Sequence, residues 1–216
     1  MSGSRRPRRP GIKATIGVIV EGDTEYHSLP LLYRKGMVDN CPPIKPINLH
    51  GVGSHRDAGG IAKLILPKVI QHRLQGRERV IVCIDREQRE LCAPALAHSI
   101  RSALVSELDK KGRSPGDLHV VVADRCFEAW ILADAAGLYS RGVFSMPPAF
   151  HSFEGQLGAE RKKGTKELDK LLGRAYSKTV DGPLLFRQLS VKSARCHQKN
   201  GSGSRSFDKF LRAVGV

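Results

Sequence analysis

The chain has 216 residues, of which 40% are hydrophobic and 26% charged, enough apolar material for a folded core and too much for wholesale disorder. Its net charge of +15 is segregated: residues 1–13 hold five Lys/Arg and no acid, residues 156–216 hold fourteen against five, and residues 14–155 hold seventeen against sixteen. Segregation of this kind suits a polyanion, because neutralising phosphates releases counterions; an acidic protein or an anionic membrane surface is the competing partner. No apolar run approaches the roughly 20 residues that cross a bilayer, and the stretch after the first arginines is too short for a signal-peptide core, so a soluble, cytoplasmic protein without a membrane partner is expected.

Residues 1–11, with Arg5, Arg6, Arg8 and Arg9, read as a flexible basic tail able to contact nucleic acid. Ala14–Val20 is an almost continuous apolar run, as expected of a strand buried on both faces. A helical segment follows to about Lys35, and Lys45–Val52 is a second strand that contains Pro46. Ile61–Leu74 has helical spacing, with Pro67 placed to kink or divide it. Arg79–Ile84 is a third strand and Pro94–Leu108 a helix with its proline in the first turn. Leu118–Ala123 is a fourth strand, and Phe127–Ala136 an apolar helix with Phe127 and Trp130 in its core face. From Tyr139 the chain becomes loop-rich to Gly158, then forms short Lys-rich helical pieces and a Gly/Ser stretch at Gly201–Ser206.

Four alternations of strand and helix predict an open, mostly parallel, four-stranded α/β sheet covered on both faces. The division expected is a basic tail (1–11), an α/β core (12–140) and a basic, mainly helical extension (141–216) packed on it. The odd number of five cysteines, with no Cys-x-x-Cys pair, fits neither a disulfide framework nor a zinc knuckle. Cys83 reads as a small buried hydrophobe, and Cys196-His197 alone is a weak metal signal.

Ligands bind parallel sheets at the carboxyl ends of the strands. There the first strand gives way to Glu21-Gly22-Asp23-Thr24-Glu25, so Glu21 and Glu25 can face one space. The third gives way to Asp85-Arg86-Glu87, where Glu87 shares a side with Asp85 while the chain stays extended. Any one of these acids could instead serve as a helix cap or first-turn residue. Converging carboxylates repel unless a cation sits among them, and oxygen-only ligands select hard ions such as Mg²⁺. Glu128 and Asp124, past the fourth strand, are candidates for a further ligand.

Gly51-Val52-Gly53-Ser54-His55-Arg56 resembles a phosphate-cradling loop but has Arg56 at the third glycine position of the dinucleotide pattern. It is read as a loop near the acids, with His55 and Arg56 able to contact phosphate. Arg86 and Arg89 could steer phosphate, and Lys178 and Lys192 are candidate transition-state cations. There is no Gly-x-x-x-x-Gly-Lys-Ser/Thr sequence, which argues against a P-loop ATPase.

Glu21 beside Gly22 after an apolar strand, with an acidic-x-acidic pair after a later strand, resembles the Toprim domain of topoisomerases, primases and the overcoming-lysogenisation-defect nucleases. The Glu21-x-x-x-Glu25 form is most similar to the nuclease branch. Phe127-Glu128-Ala129-Trp130-Ile131-Leu132-Ala133-Asp134, Tyr176-Ser177-Lys178 and Ser204-Arg205-Ser206-Phe207 are similar to small bacterial Toprim-like proteins of the DUF4276 type. The resemblance covers nearly all of the chain after the tail. It implies a Toprim, Rossmann-like fold, with Glu21, Glu25, Asp85 and Glu87 binding one or two Mg²⁺ or Mn²⁺ ions. Together with Glu128 these are the catalytic set for phosphodiester cleavage of DNA or RNA. Glu87 stands where the family's usual second Asp would be, which shifts that carboxylate outward. The resemblance further implies an ABC- or AAA-type ATPase partner and a setting in bacterial anti-phage defence. The alternative is a non-catalytic nucleic-acid-binding or regulatory subunit that keeps the acids for structural Mg²⁺. A homo-oligomer is compatible with either.

Overall fold

A computed structural model describes residues 14–53, 55–149, 164–195 and 203–216. Arg5, Arg6, Arg8, Arg9 and the Cys196-His197 pair lie outside the described residues. Three of the apolar runs become the fully or almost fully buried strands β1 (Ile16–Val20), β3 (Arg79–Asp85) and β4 (Asp117–Ala123). β2 (Ile44–Asn48) is more exposed and shorter than expected. The Leu49 N–H still bonds the Val20 carbonyl at 2.7 Å, but Gly51 turns the chain away at φ +81°. All pairings are parallel, in the order β2-β1-β3-β4. Pro46 therefore sits on an edge strand, where its missing N–H is tolerated.

The strands' alternating side chains build two cores. One face, with Ile19, Val80, Val82, Ile84 and Val122, is covered by α3 (Ala58–Leu74) and α4 (Ala93–Asp109). α3 begins three residues before the expected helix because the Asp57 side chain accepts the Gly60 N–H at 2.7 Å. Pro67 does not divide it. Across this face, Gly17 is obligatory in β1: a Cβ there would lie 2.5 Å from the His72 ring of α3.

The opposite face, with Val18, Val20, Cys83, Val121 and Ala123, is covered from several directions. The helical segment expected to run to Lys35 is two short helices, α1 (Asp23–Ser28) and α2 (Leu31–Arg34). The Phe127–Ala136 helix is likewise broken at Ala133-Asp134 into α5 (Glu128–Leu132) and α6 (Ala135–Ser140). The Asp134 carboxylate is the reason for the second break. It is buried, pairs with Arg141 at 2.7 Å and accepts the Ser190 N–H at 2.7 Å. The remaining cover comes from α7 (Gly164–Leu172), α8 (Asp181–Arg187), α9 (Val191–Ala194) and α10 (Arg205–Val214).

The C-terminal helices share one core with the sheet, since Trp130 packs against Phe207 and Phe210 at 5.2 and 5.3 Å and Phe127 stacks on Phe186 at 5.4 Å. Each such buried aromatic contributes on the order of 2 kcal/mol through apolar area alone. The Gly/Ser stretch ends as the start of α10. Ser204 caps it by accepting the Phe207 N–H, and the Ser206 hydroxyl accepts the Trp130 indole N–H at 2.9 Å. Among the described residues, no helix is long and apolar enough to cross a membrane.

Candidate metal centre at the carboxyl ends of β1 and β3

From β1 the chain leaves toward β2, and from β3 it leaves toward β4 on the other side. The strand order therefore reverses between β1 and β3, the switch point outside whose carboxyl ends parallel sheets bind their ligands. Glu21 follows β1, and Asp85 is the last residue of β3. The two are joined directly, because the Asp85 N–H donates to Glu21 Oε2 at 3.2 Å. Glu21 is thus not a helix cap. That position belongs to Gly22, which lets Glu25 fold back, since a Cβ on Gly22 would lie 2.8 Å from Glu25 Oε2. Glu25, in the first turn of α1, is buried. Glu128, the first residue of α5, is also buried.

These four carboxylates act on one another. Burial pushes the Glu25 carboxyl up to about 7, with Glu128 and Glu21 adding repulsion. Asp85 is driven well above the usual carboxylate range by burial and then by Glu25, Glu128 and Glu21. Burial also raises Glu21, and the Glu87 charge adds to it. The cation that recurs is Lys178, whose Nζ lies 3.8 Å from Glu128 Oε1. Its own ammonium is held above its usual range first by Glu128, then by Asp85 and Glu25.

Lys178 is presented by a braced turn. The Asp181 carboxylate takes both nitrogens of Arg174 at 2.7 and 2.8 Å and the Ser177 N–H at 2.8 Å. The Thr24 hydroxyl of α1 donates to the Lys178 carbonyl at 3.1 Å. Gly182 lets α8 approach α1, since a Cβ there would sit 2.4 Å from Thr24 Cγ2.

Glu87 does not follow the extended path expected of it. It has φ +51°, its N–H donates to the Arg125 carbonyl at 2.7 Å, and Arg125 is itself left-handed at φ +71°. The turn brings the Glu87 carboxylate to 3.8 Å from Arg89, from where its charge still reaches Glu21. Arg89 is committed to structure: it donates to the carbonyls of Asp85, Arg86 and Gly53, which ties the loops after β2 and β3 together. Arg86 turns to the other side of the strand end and pairs with Asp124 at 3.3 Å. His55 and Arg56 are exposed after β2, with Arg56 donating to the Gly51 carbonyl at 3.2 Å. The glycines that follow them belong to the α3 cap. Lys192 is exposed on α9.

The donor set around Glu21, Glu25, Asp85 and Glu128 is all oxygen and, when ionised, carries more negative charge than Lys178 offsets. That is the chemistry of a hard divalent cation. As the side chains stand, no three of the described His, Cys, Asp or Glu residues are arranged to hold a metal. A bound ion would draw carboxylates together that now repel one another.

The fold and this acid cluster define an α/β protein with a buried carboxylate site at a switch point between parallel strands. The model of a domain of unknown function, DUF4276, matches residues 20–214, and the chain belongs to that family. No curated protein and no solved structure matches it.

Proposed function

We propose that the protein is a Toprim-type nuclease that cleaves phosphodiester bonds in nucleic acid with Mg²⁺ or Mn²⁺. The observation that carries this reading is the convergence of Glu21 and Asp85, both partly buried, with the buried Glu25 and Glu128 beside Lys178. Asp85, Glu25 and Glu128 would hold the ion, with Glu21 at the rim. A divalent ion there would stabilise charge on the phosphoryl and leaving oxygens and acidify a bound water. The Asp85 N–H donates to the Glu21 carboxylate, which would accept a proton from the attacking water. Lys178 offsets negative charge beside Glu128, where a phosphate would otherwise meet only carboxylates. The ATPase partner, the defence setting and the Toprim relationship itself rest on the motif resemblance.

A second reading, a non-catalytic nucleic-acid-binding subunit, is favoured by the left-handed turn at Glu87, which pairs that expected ligand with Arg89 at 3.8 Å. The deciding experiment incubates the purified protein with labelled single-stranded DNA, duplex DNA and tRNA, each with Mg²⁺, Mn²⁺ or chelator. The nuclease reading expects metal-dependent fragments from at least one of them. Retention of nucleic acid without cleavage in either metal, with and without an ATPase partner, assigns the chain to the second class.

A further inference from the structure

β4 is the outer strand on its side of the sheet, and α10 lies against it, antiparallel to the strands. Ser206 at its start accepts the Asp124 N–H at 3.3 Å, while Arg79 at the far end donates to the Ala213 and Val214 carbonyls. α10 buries Phe207, Phe210, Leu211 and Val214. Its other face carries Arg205, Lys209 and Arg212 at i, i+4 and i+7, which places them in one line. In isolation such a line is a solvated helix face. Here it walls an open cleft of about 520 Å³, lined on the other sides by Arg86, Asp124 and the first turn of α4.

Four cations thus face the cavity with the Asp124 carboxylate, and one of them, Arg212, also pairs with Asp208 at 3.1 Å along α10. Arg86 Nε is buried with no hydrogen-bond partner, and α4 opens on the cavity without a side-chain cap. Like charges gathered around a cavity favour an anion inside it. Three guanidinium forks match phosphate oxygens, and the volume lies in the range of small-ligand sites. Arg86 directly follows Asp85, with Cα atoms about 3.8 Å apart. Consecutive residues at a strand end face opposite ways, so one chain segment feeds Asp85 to the carboxylate cluster and Arg86 to this cavity.

We propose that the cavity is a nucleotide-phosphate site that holds the strand whose scissile bond is presented at the carboxylates, a role that rests on the nuclease reading. The test reads binding rather than cleavage. A labelled single strand of about a dozen nucleotides, long enough for a typical single-strand site, is titrated in chelator with wild type and with Arg205→Gln/Lys209→Gln/Arg212→Gln. These three side chains are exposed, and Asp208 keeps Arg195 at 2.8 Å when its surface pair with Arg212 is lost, so the variant should melt within a few degrees of wild type. A control removes three exposed cations elsewhere, Lys63→Gln/Lys111→Gln/Arg113→Gln.

The α10 variant should lose affinity tenfold or more and flatten the log–log salt dependence by about 2, at ~0.7 per lost contact. The control should change both much less. A parallel arm titrates a mononucleotide: weakening confined to that arm assigns the cavity to a free nucleotide, and weakening with the oligonucleotide assigns it to a strand. Equal loss in the α10 variant and the control, or no loss in either, overturns the site even if the wild type cleaves. A selective loss upholds the site even if no cleavage is ever found.

Discussion

Replacing Glu25 with Gln should stabilise the metal-free protein at alkaline pH and leave it unchanged in acid. The Glu25 carboxyl is pushed from 4.5 up to about 7 by burial and by Glu128 and Glu21. The folded protein therefore binds a proton more tightly at this site than the unfolded chain does. Stability from this group is fully present below pH 4.5 and is lost as pH rises through about 7. The loss is on the order of 3 kcal/mol for Glu25 alone. Gln keeps the shape and removes the charge, so this is an upper bound on the gain, equivalent to roughly 6–12 °C in melting temperature for a chain of this size. The assay is a thermal melt in chelator at pH 8 and pH 4 for wild type and Glu25→Gln. A wild type that is equally or more stable than the variant at pH 8 would refute a low-dielectric site of crowded acids. With saturating Mn²⁺ the order should reverse, because the ion stabilises only a protein that retains its ligands.

Since the same carboxylates must lose protons to hold a metal, Mn²⁺ affinity measured by calorimetry should rise steeply from pH 6 to pH 8, with proton release, and Asp85→Asn should lose most of it. Lys178→Met removes the cation that lowers Glu21, Glu25 and Asp85, so the alkaline-rising limb of a cleavage–pH profile should move to higher pH; an unmoved limb would place Lys178 outside the site. Phe207→Ala should cost about 3–5 kcal/mol in denaturant unfolding, because it removes a fully buried ring packed on Trp130, and a cost below 1 kcal/mol would mean that α10 is not part of the core.

The sheet was legible because three strands are buried on both faces and so appear as unbroken apolar runs, β1, β3 and β4. Once Glu21 and Asp85 were placed at the ends of such strands, their meeting depended only on β1 and β3 being neighbours, which the parallel order provides. Glu128 was legible only as a candidate, since it stands five residues past β4, at the start of α5. The bend at Glu87 was not legible because it depends on a left-handed backbone paired with another at Arg125, and a non-glycine residue carries no mark of that. The break before α6 was hidden because Asp134 acts through Ser190 and Arg141, partners that no local pattern relates to it. The α10 cations read in the sequence only as part of the basic, helical C-terminal stretch. The basic cavity appears only when α10 is laid along β4.

The measurement that bears most directly on the acid cluster compares wild type with Asp85→Asn and Glu21→Gln on one labelled single strand in Mn²⁺, recording both single-turnover cleavage and retention. Losing several kcal/mol of charge stabilisation should slow cleavage by at least a thousandfold in each variant, while binding in chelator stays within about threefold of wild type. A wild type that cleaves, with both variants cleaving at the same rate, would contradict the assignment of the chemistry to the carboxyl ends of β1 and β3.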